Sequence, residues 1–210
     1  MDAALIREIV EDLKERERRS SMPVPVGVSN RHLHLTGEHF RQLFGREAEP
    51  SLYRQLRQPG FFACNEKVSI SGPSGSIDGV RLIGPCRAYT QVEVSRADAV
   101  RLGLKPPIRD SGDLEGSAGI RIDGPAGSVT VGSGVILSKR HIHFTPADAA
   151  RFGLKEGSHV RVLCGAGTDR ETIFERVLCR VSDKYALELH LDIEEANAAG
   201  VRTGDSAAIV

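Results

Sequence analysis

Ser29-Asn30-Arg31-His32-Leu33-His34-Leu35-Thr36 returns later in the chain as Ser138-Lys139-Arg140-His141-Ile142-His143-Phe144-Thr145. Each copy sets a His-x-His pair between the same Arg and the same Thr, and four of the seven histidines are spent there. In a helix, residues two apart project about 200° from each other, whereas on a strand they share one face. Each pair therefore converges on one metal ion only if it is extended. Leu33, Leu35, Ile142 and Phe144 are then expected to face a core.

Outward from these pairs, short apolar runs alternate with Gly and Pro: Val24 to Val28, Val68 to Ile70, Val80 to Ile83, Gln91 to Val94, Ile120 to Ile122, Val135 to Leu137, Val160 to Leu163, Val177 to Val181 and Leu187 to Leu191. Many short strands at such spacing argue for barrels or sandwiches. Short helices with a shared signature lie between them. Ser95-Arg96-Ala97-Asp98 running to Gly103 matches Thr145-Pro146-Ala147-Asp148 running to Gly153, with a Ser or Thr N-cap and a closing Gly. Asp192 to Gly204 is a looser third copy.

The repeats predict a mainly β protein of two small β-barrel domains capped by short α-helices, residues 22–107 and 120–210, joined by an Asp- and Gly-rich linker at 108–119. The metal pairs are expected to come from equivalent strands and to meet where the halves face each other. Residues 1–21 read as an amphipathic helix and linker: Leu5, Ile6, Ile9, Val10 and Leu13 form one stripe, and Ser20 to Pro25 breaks the helix. A helix of this length is marginal alone. It docks either on its own domain or on a partner.

Composition narrows the function. The 210 residues carry 28 Lys plus Arg against 28 Asp plus Glu, so no global basic field exists to hold nucleic acid or an anionic membrane. Aromatics are few and Trp is absent, which argues against base-stacking platforms. No run of about 18 apolar residues is present to span a membrane. The start Met-Asp-Ala-Ala lacks a secretory signature, and Cys64, Cys86, Cys164 and Cys179 form no C-x-x-C pair. A cytosolic protein with reduced, buried thiols is expected.

Two His-x-His pairs can hold one ion or be divided between two, with Glu93, His190, His39, His159 and the thiols as candidates to complete the shells. Glu93 and His190 stand out, because each sits in an alternating run followed by a capped helix, as each His-x-His does. Arg87 precedes Glu93 by an even number of residues, so on an unbroken strand both face one way, and its planar fork suits phosphate or carboxylate. His32-x-His34-x3-Glu38 also fits the metal motif of cupins, but Thr36 to Gly45 reads better as a capped helix, and the second copy has Ala147 in place of Glu38.

Val26 to Leu35, Gly84 to Glu93 and Ser138 to Pro146 resemble the signature stretches of the PduL-type phosphate acyltransferases, or phosphate propanoyltransferases, and the likeness runs over nearly the whole chain after residue 22. The resemblance implies two β-barrels, two zinc ions per chain and interconversion of acyl-CoA plus phosphate with acyl phosphate plus CoA. By motif it assigns His32, His34 and Glu93 to one zinc, with the CoA sulfur as a further ligand, and His141, His143 and His190 to the other. It gives Arg87 to phosphate, and Ser29, Arg81 and Asn197 to CoA contact. It also implies a cytoplasmic enzyme inside a bacterial microcompartment, with the N-terminal helix as an encapsulation peptide for shell or cargo proteins. A homodimer is expected, because small two-barrel enzymes with split sites often pair. A cupin-like mononuclear enzyme and a non-catalytic zinc-containing cargo protein are the competing expectations.

Overall fold

The computed structural model describes residues 3–210. The chain opens with helix α1 (Ala3–Ser20) and strand β1 (Val24–Ser29). There follow β2 (His32–His34), α2 (Gly37–Phe44), β3 (Leu52–Gln55), β4 (Phe62–Gly72), β5 (Gly75–Gly84), β6 (Gln91–Glu93) and α3 (Arg96–Leu102). Strands β7 (Ile108–Arg109), β8 (Ala118–Asp123) and β9 (Ser128–Ser138) lead to the second motif. From there the chain runs through β10 (His141–Phe144), α4 (Pro146–Phe152), β11 (His159–Cys164), β12 (Thr172–Val181), β13 (Glu188–Asp192), α5 (Ile193–Ala199) and β14 (Ser206–Ile209). Both His-x-His pairs are extended, as the metal argument requires.

Two compact units result, each a closed six-stranded barrel, so the fold is mainly β with short helices, as the repeats imply. The barrel of the first motif is Ser29–Lys139, in which β4, β5, β2, β6, β9 and β8 follow in order and β8 pairs back to β4. β3 adds beside β4 and β7 beside β9. The barrel of the second motif joins the residues up to Val28 to Arg140–Val210, in the order β1, β13, β10, β12, β11, β14. Closure leaves neither ring with an open edge.

The compact units do not follow the halves 22–107 and 120–210. β1 precedes the first motif but pairs in the barrel of the second, with Val24 opposite Ala207. β9 precedes the second motif but pairs in the barrel of the first, with Val135 opposite Val92. Alternation marks a segment as a strand without naming its neighbour, so an exchange of one strand per repeat is invisible in the pattern. The stretch 108–119 is likewise part of the first barrel, holding β7 and the start of β8.

The cores follow from the two-residue period. Leu33, Leu35, Ile70, Val92, Ile122 and Val135 are buried in one barrel, and Val24, Ile142, Phe144, Val162, Leu189 and Leu191 in the other. The short helices close over them. Thr36, Ser95, Thr145 and Asp192 cap their N-termini through side-chain oxygens, each cap being worth about 1 kcal/mol. Gly103, Gly153 and Gly200 end α3, α4 and α5 at φ of 71°, 65° and 65°, a left-handed geometry that a Cβ disfavours.

The C-terminal end of α1 is tied to its barrel, where Arg18 Nη1 donates to the Arg151 carbonyl. Its apolar stripe is not covered: Leu5, Ile6, Ile9, Val10 and Leu13 are 41–57% exposed. Among the described residues no helix is long and apolar enough to cross a membrane.

Candidate metal centres

Register builds the first triad. β2 runs between β5 and β6, and its antiparallel pairing with β6 sets Glu93 directly opposite His32 and Gln91 opposite His34. Directly opposed residues share a face, so two imidazoles and a carboxylate point the same way. One ligating atom from each of His32, His34 and Glu93 lies within 4.8 Å of the other two, and His32 Nε2 is 3.6 Å from Glu93 Oε2.

Backbone carbonyls select the tautomers. His32 Nδ1 donates to the Asn30 carbonyl at 2.9 Å and His34 Nδ1 to the Ile83 carbonyl at 3.0 Å. A carbonyl only accepts, so the proton sits on Nδ1 and the Nε2 lone pair of each ring is left for a cation. Burial first, then the neighbouring His32 ring and the Arg87 guanidinium, hold His34 well below the usual histidine range. It is neutral at physiological pH, as a ligand must be.

The second triad repeats the plan on β10 and β13, with His190 directly opposite His141 and Glu188 opposite His143. The rings of His141, His143 and His190 form a near-equilateral triangle with centroids 4.7–4.9 Å apart. Their ligating atoms also gather within 4.8 Å. His190 Nε2 donates to Glu188 Oε2 at 2.8 Å, which leaves its Nδ1 free to ligate. Tyr185 stacks on His143 at 4.0 Å, nearly parallel. Burial, then His141, His190 and Arg180, push the His143 pKa down to about 2.

His143 Nδ1 is buried without a hydrogen-bond partner. Leaving such a nitrogen unmet costs about 1–3 kcal/mol, and a cation removes that cost. Three nitrogen and oxygen donors within 4.8 Å of one another match the donor types that hold zinc. The residues present fit the metal.

Arg87 reaches this region by a different route from the one expected. β5 ends at Gly84 and β6 starts at Gln91, so Arg87 lies on the intervening loop rather than on an unbroken strand with Glu93. Its backbone N–H donates to the Leu35 carbonyl at 2.8 Å, its Nη1 donates to Ser111 Oγ at 3.2 Å, and its charge is felt at His34. The loop, not strand alternation, brings the guanidinium to the triad.

The remaining candidates divide. Arg81 on β5 is opposite His32, donates to the Cys64 carbonyl and lies 4.2 Å over the Tyr53 ring. Ser29 is half-buried at the end of β1, and Asn197 is exposed on α5 in the other unit. His39 bonds Thr90 Oγ1 at 2.7 Å and His159 is exposed on β11; neither joins a triad. Glu38, the third ligand of a cupin motif, is exposed on α2 and outside the cluster. The cysteines are free, and burial pushes the Cys64 and Cys164 thiols up to about 11 and Cys179 to about 12.

Sequence reasoning missed Gln91, Glu188, Ser111 and Tyr185 as neighbours of the triads. Only the placement of Gln91 and Glu188 two residues before the third ligand signals them in advance.

Known proteins resemble this chain over most of its length. The family model for phosphate propanoyltransferase matches residues 25–202. The phosphate propanoyltransferase of Thermotoga maritima is 52% identical over 91% of both chains. That of Alkaliphilus metalliredigens is 45% identical over 98% of this chain and 97% of its own. That of Priestia megaterium is 45% identical over 97% and 92% respectively. With a matching model over most of its length and relatives of this identity, the chain belongs to the phosphate propanoyltransferase family.

Proposed function

We propose that this protein interconverts propanoyl-CoA or acetyl-CoA plus phosphate with the acyl phosphate plus CoA, using zinc held by His32, His34 and Glu93 in one barrel and by His141, His143 and His190 in the other. The observation that carries this is the convergence of three ligating side chains within 4.8 Å in each barrel. Family membership supports the reaction class. Zinc bound there supplies positive charge that stabilises a thiolate sulfur and polarises a neighbouring carbonyl.

The chain's own residues do the rest. Phosphate is already anionic and needs aim more than activation, and Arg87, tethered by Ser111, offers it a planar fork. A phosphate oxygen bonds to the acyl carbon as the carbon–sulfur bond breaks, and the bonding pair leaves with sulfur. In reverse, the CoA sulfur attacks the acyl carbon and phosphate departs. The buried thiols, with their pKa values pushed to about 11 and 12, are poor nucleophiles, which supports direct transfer without an acyl-enzyme. Ser29, Arg81 and Asn197 are assigned to CoA contact.

The exposed apolar stripe of α1 supports its use as a docking helix for microcompartment shell or cargo proteins, with the enzyme working as a homodimer inside. A thiol-release assay tests the catalytic proposal: propanoyl-CoA with phosphate yields free CoA at a rate that follows phosphate concentration. No CoA release, or release indifferent to phosphate, refutes it. It also separates a phosphotransacylase from a cupin-like enzyme and from a non-catalytic cargo protein, neither of which consumes the thioester.

A further inference from the structure

We propose that Gln91 and Glu188 are paired positioning residues, each fixing the third ligand of its triad through a hydrogen bond whose polarity is matched to that ligand. The proposal rests on the triads holding zinc. Both residues occupy the same place in the repeat, two positions before the third ligand and directly opposite the second histidine of the pair: Gln91 faces His34, and Glu188 faces His143. Both are buried, at 0% and 6% exposure.

The side chains differ where the ligands differ. Glu93 is an anionic acceptor, and its supporter is an amide donor: Gln91 Nε2 donates to Glu93 Oε1 at 2.6 Å. That leaves Oε2, the oxygen that lies beside His32, to face the cation. His190 is an imidazole, and its supporter is a carboxylate acceptor: Glu188 Oε2 receives Nε2–H at 2.8 Å and so presents Nδ1. A hydrogen bond from a ligand to an outer partner fixes its orientation and, for histidine, its tautomer.

Each supporter is itself held. Gln91 Oε1 accepts from the Gly112 N–H at 2.8 Å, which determines which end of the amide is which, and Nε2 also donates to Ser111 Oγ at 2.9 Å. Glu188 lies against Gly27 on β1, where an added Cβ would come within 2.7 Å of its Oε1. Gly27 therefore keeps open the space that the carboxylate fills.

Matched polarity predicts an asymmetry that simple packing does not. Glu188→Gln still offers a carbonyl to Nε2–H, whereas Gln91→Glu loses its donor and faces Glu93 with a like charge. The test is zinc affinity of the full-length protein, measured site by site in competition with a chelator and checked by the absorption of the cobalt-substituted form. Gln91→Leu, Gln91→Glu and Glu188→Leu each weaken one site about 10–100-fold and leave the other unchanged. Glu188→Gln stays within about threefold of wild type, a small loss for a kept hydrogen bond. Gly27→Ala, which displaces the carboxylate without removing it, weakens the His190 site and shifts its cobalt spectrum, and so serves if Glu188→Leu fails to fold. Wild-type affinity in both Leu variants, or equal losses in Gln91→Glu and Glu188→Gln, overturns the proposal and leaves zinc binding intact. A wild-type protein that takes up no zinc overturns the metal assignment itself.

Discussion

The Arg31 guanidinium grips the Asp98 carboxylate, with Nε 2.9 Å from Oδ1 and 3.0 Å from Oδ2. Asp98 is also the acid of the capping box that starts α3, directly after Glu93 on β6. One ion pair therefore ties the strand carrying His32 and His34 to the helix that follows Glu93. The second barrel repeats the device: Arg140 Nε lies 2.7 Å from Glu195 Oε1, in the capping box of α5 after His190. The arginines flanking each motif are struts for the triads.

The two struts respond oppositely to pH. Burial opposes ionisation of Asp98, but its bonds to Arg31 and Ser95 outweigh burial and hold its carboxyl below the usual range. Its folded pKa is depressed, so its contribution is fully present above the unfolded carboxylate value and is lost as pH falls through the folded one. Asp98→Asn should cost about 2 kcal/mol at pH 7. The deficit should close as pH drops below about 4 in denaturant titrations. Burial and Asp192 raise Glu195, so its contribution declines as pH rises from the unfolded value. Glu195→Gln should be the milder substitution at pH 7.

Arg87→Ala should lower turnover with acyl phosphate by at least about 100-fold, the scale of losing a positioned charge in an active site. Zinc content should stay at the wild-type level, because the guanidinium ligates nothing. Parallel kinetics and elemental analysis check both halves; lost zinc or full activity would refute its role.

Changing His141 and His143 together to Ala should remove one zinc per chain and spare the other, counted by elemental analysis. Chelation of the wild type should lower the melting temperature, because a ligand bound only by the folded state stabilises it.

Substituting Leu5, Ile9 and Leu13 by Gln should change stability by no more than about 0.5 kcal/mol per site, since these side chains are already exposed. Activity should be unchanged, while retention of the protein in isolated microcompartments should fall. A large drop in melting temperature would show instead that the stripe docks on its own barrel.

The sequence carried the triads because strand alternation and duplication act together. His32, His34, His141 and His143 could be placed on one face from spacing alone, and Glu93 and His190 from their matching context. Helix limits were legible where side-chain caps and glycines write them, as at Ser95 and Gly103. Strand partnership was not: β1 and β9 change barrels without any mark in their apolar pattern. Arg87 was placed by a strand period that fails at Gly84, because a loop has no period to extrapolate. Gln91 and Glu188 gained meaning only once register put them against a histidine.

The most direct measurement is phosphate-dependent release of CoA from propanoyl-CoA by protein as purified, after chelation, and after zinc is returned. Release that follows phosphate, disappears on chelation and recovers with zinc is the expected result. Release that persists in fully metal-free, folded protein would contradict the assignment of these histidines and Glu93 to a catalytic metal.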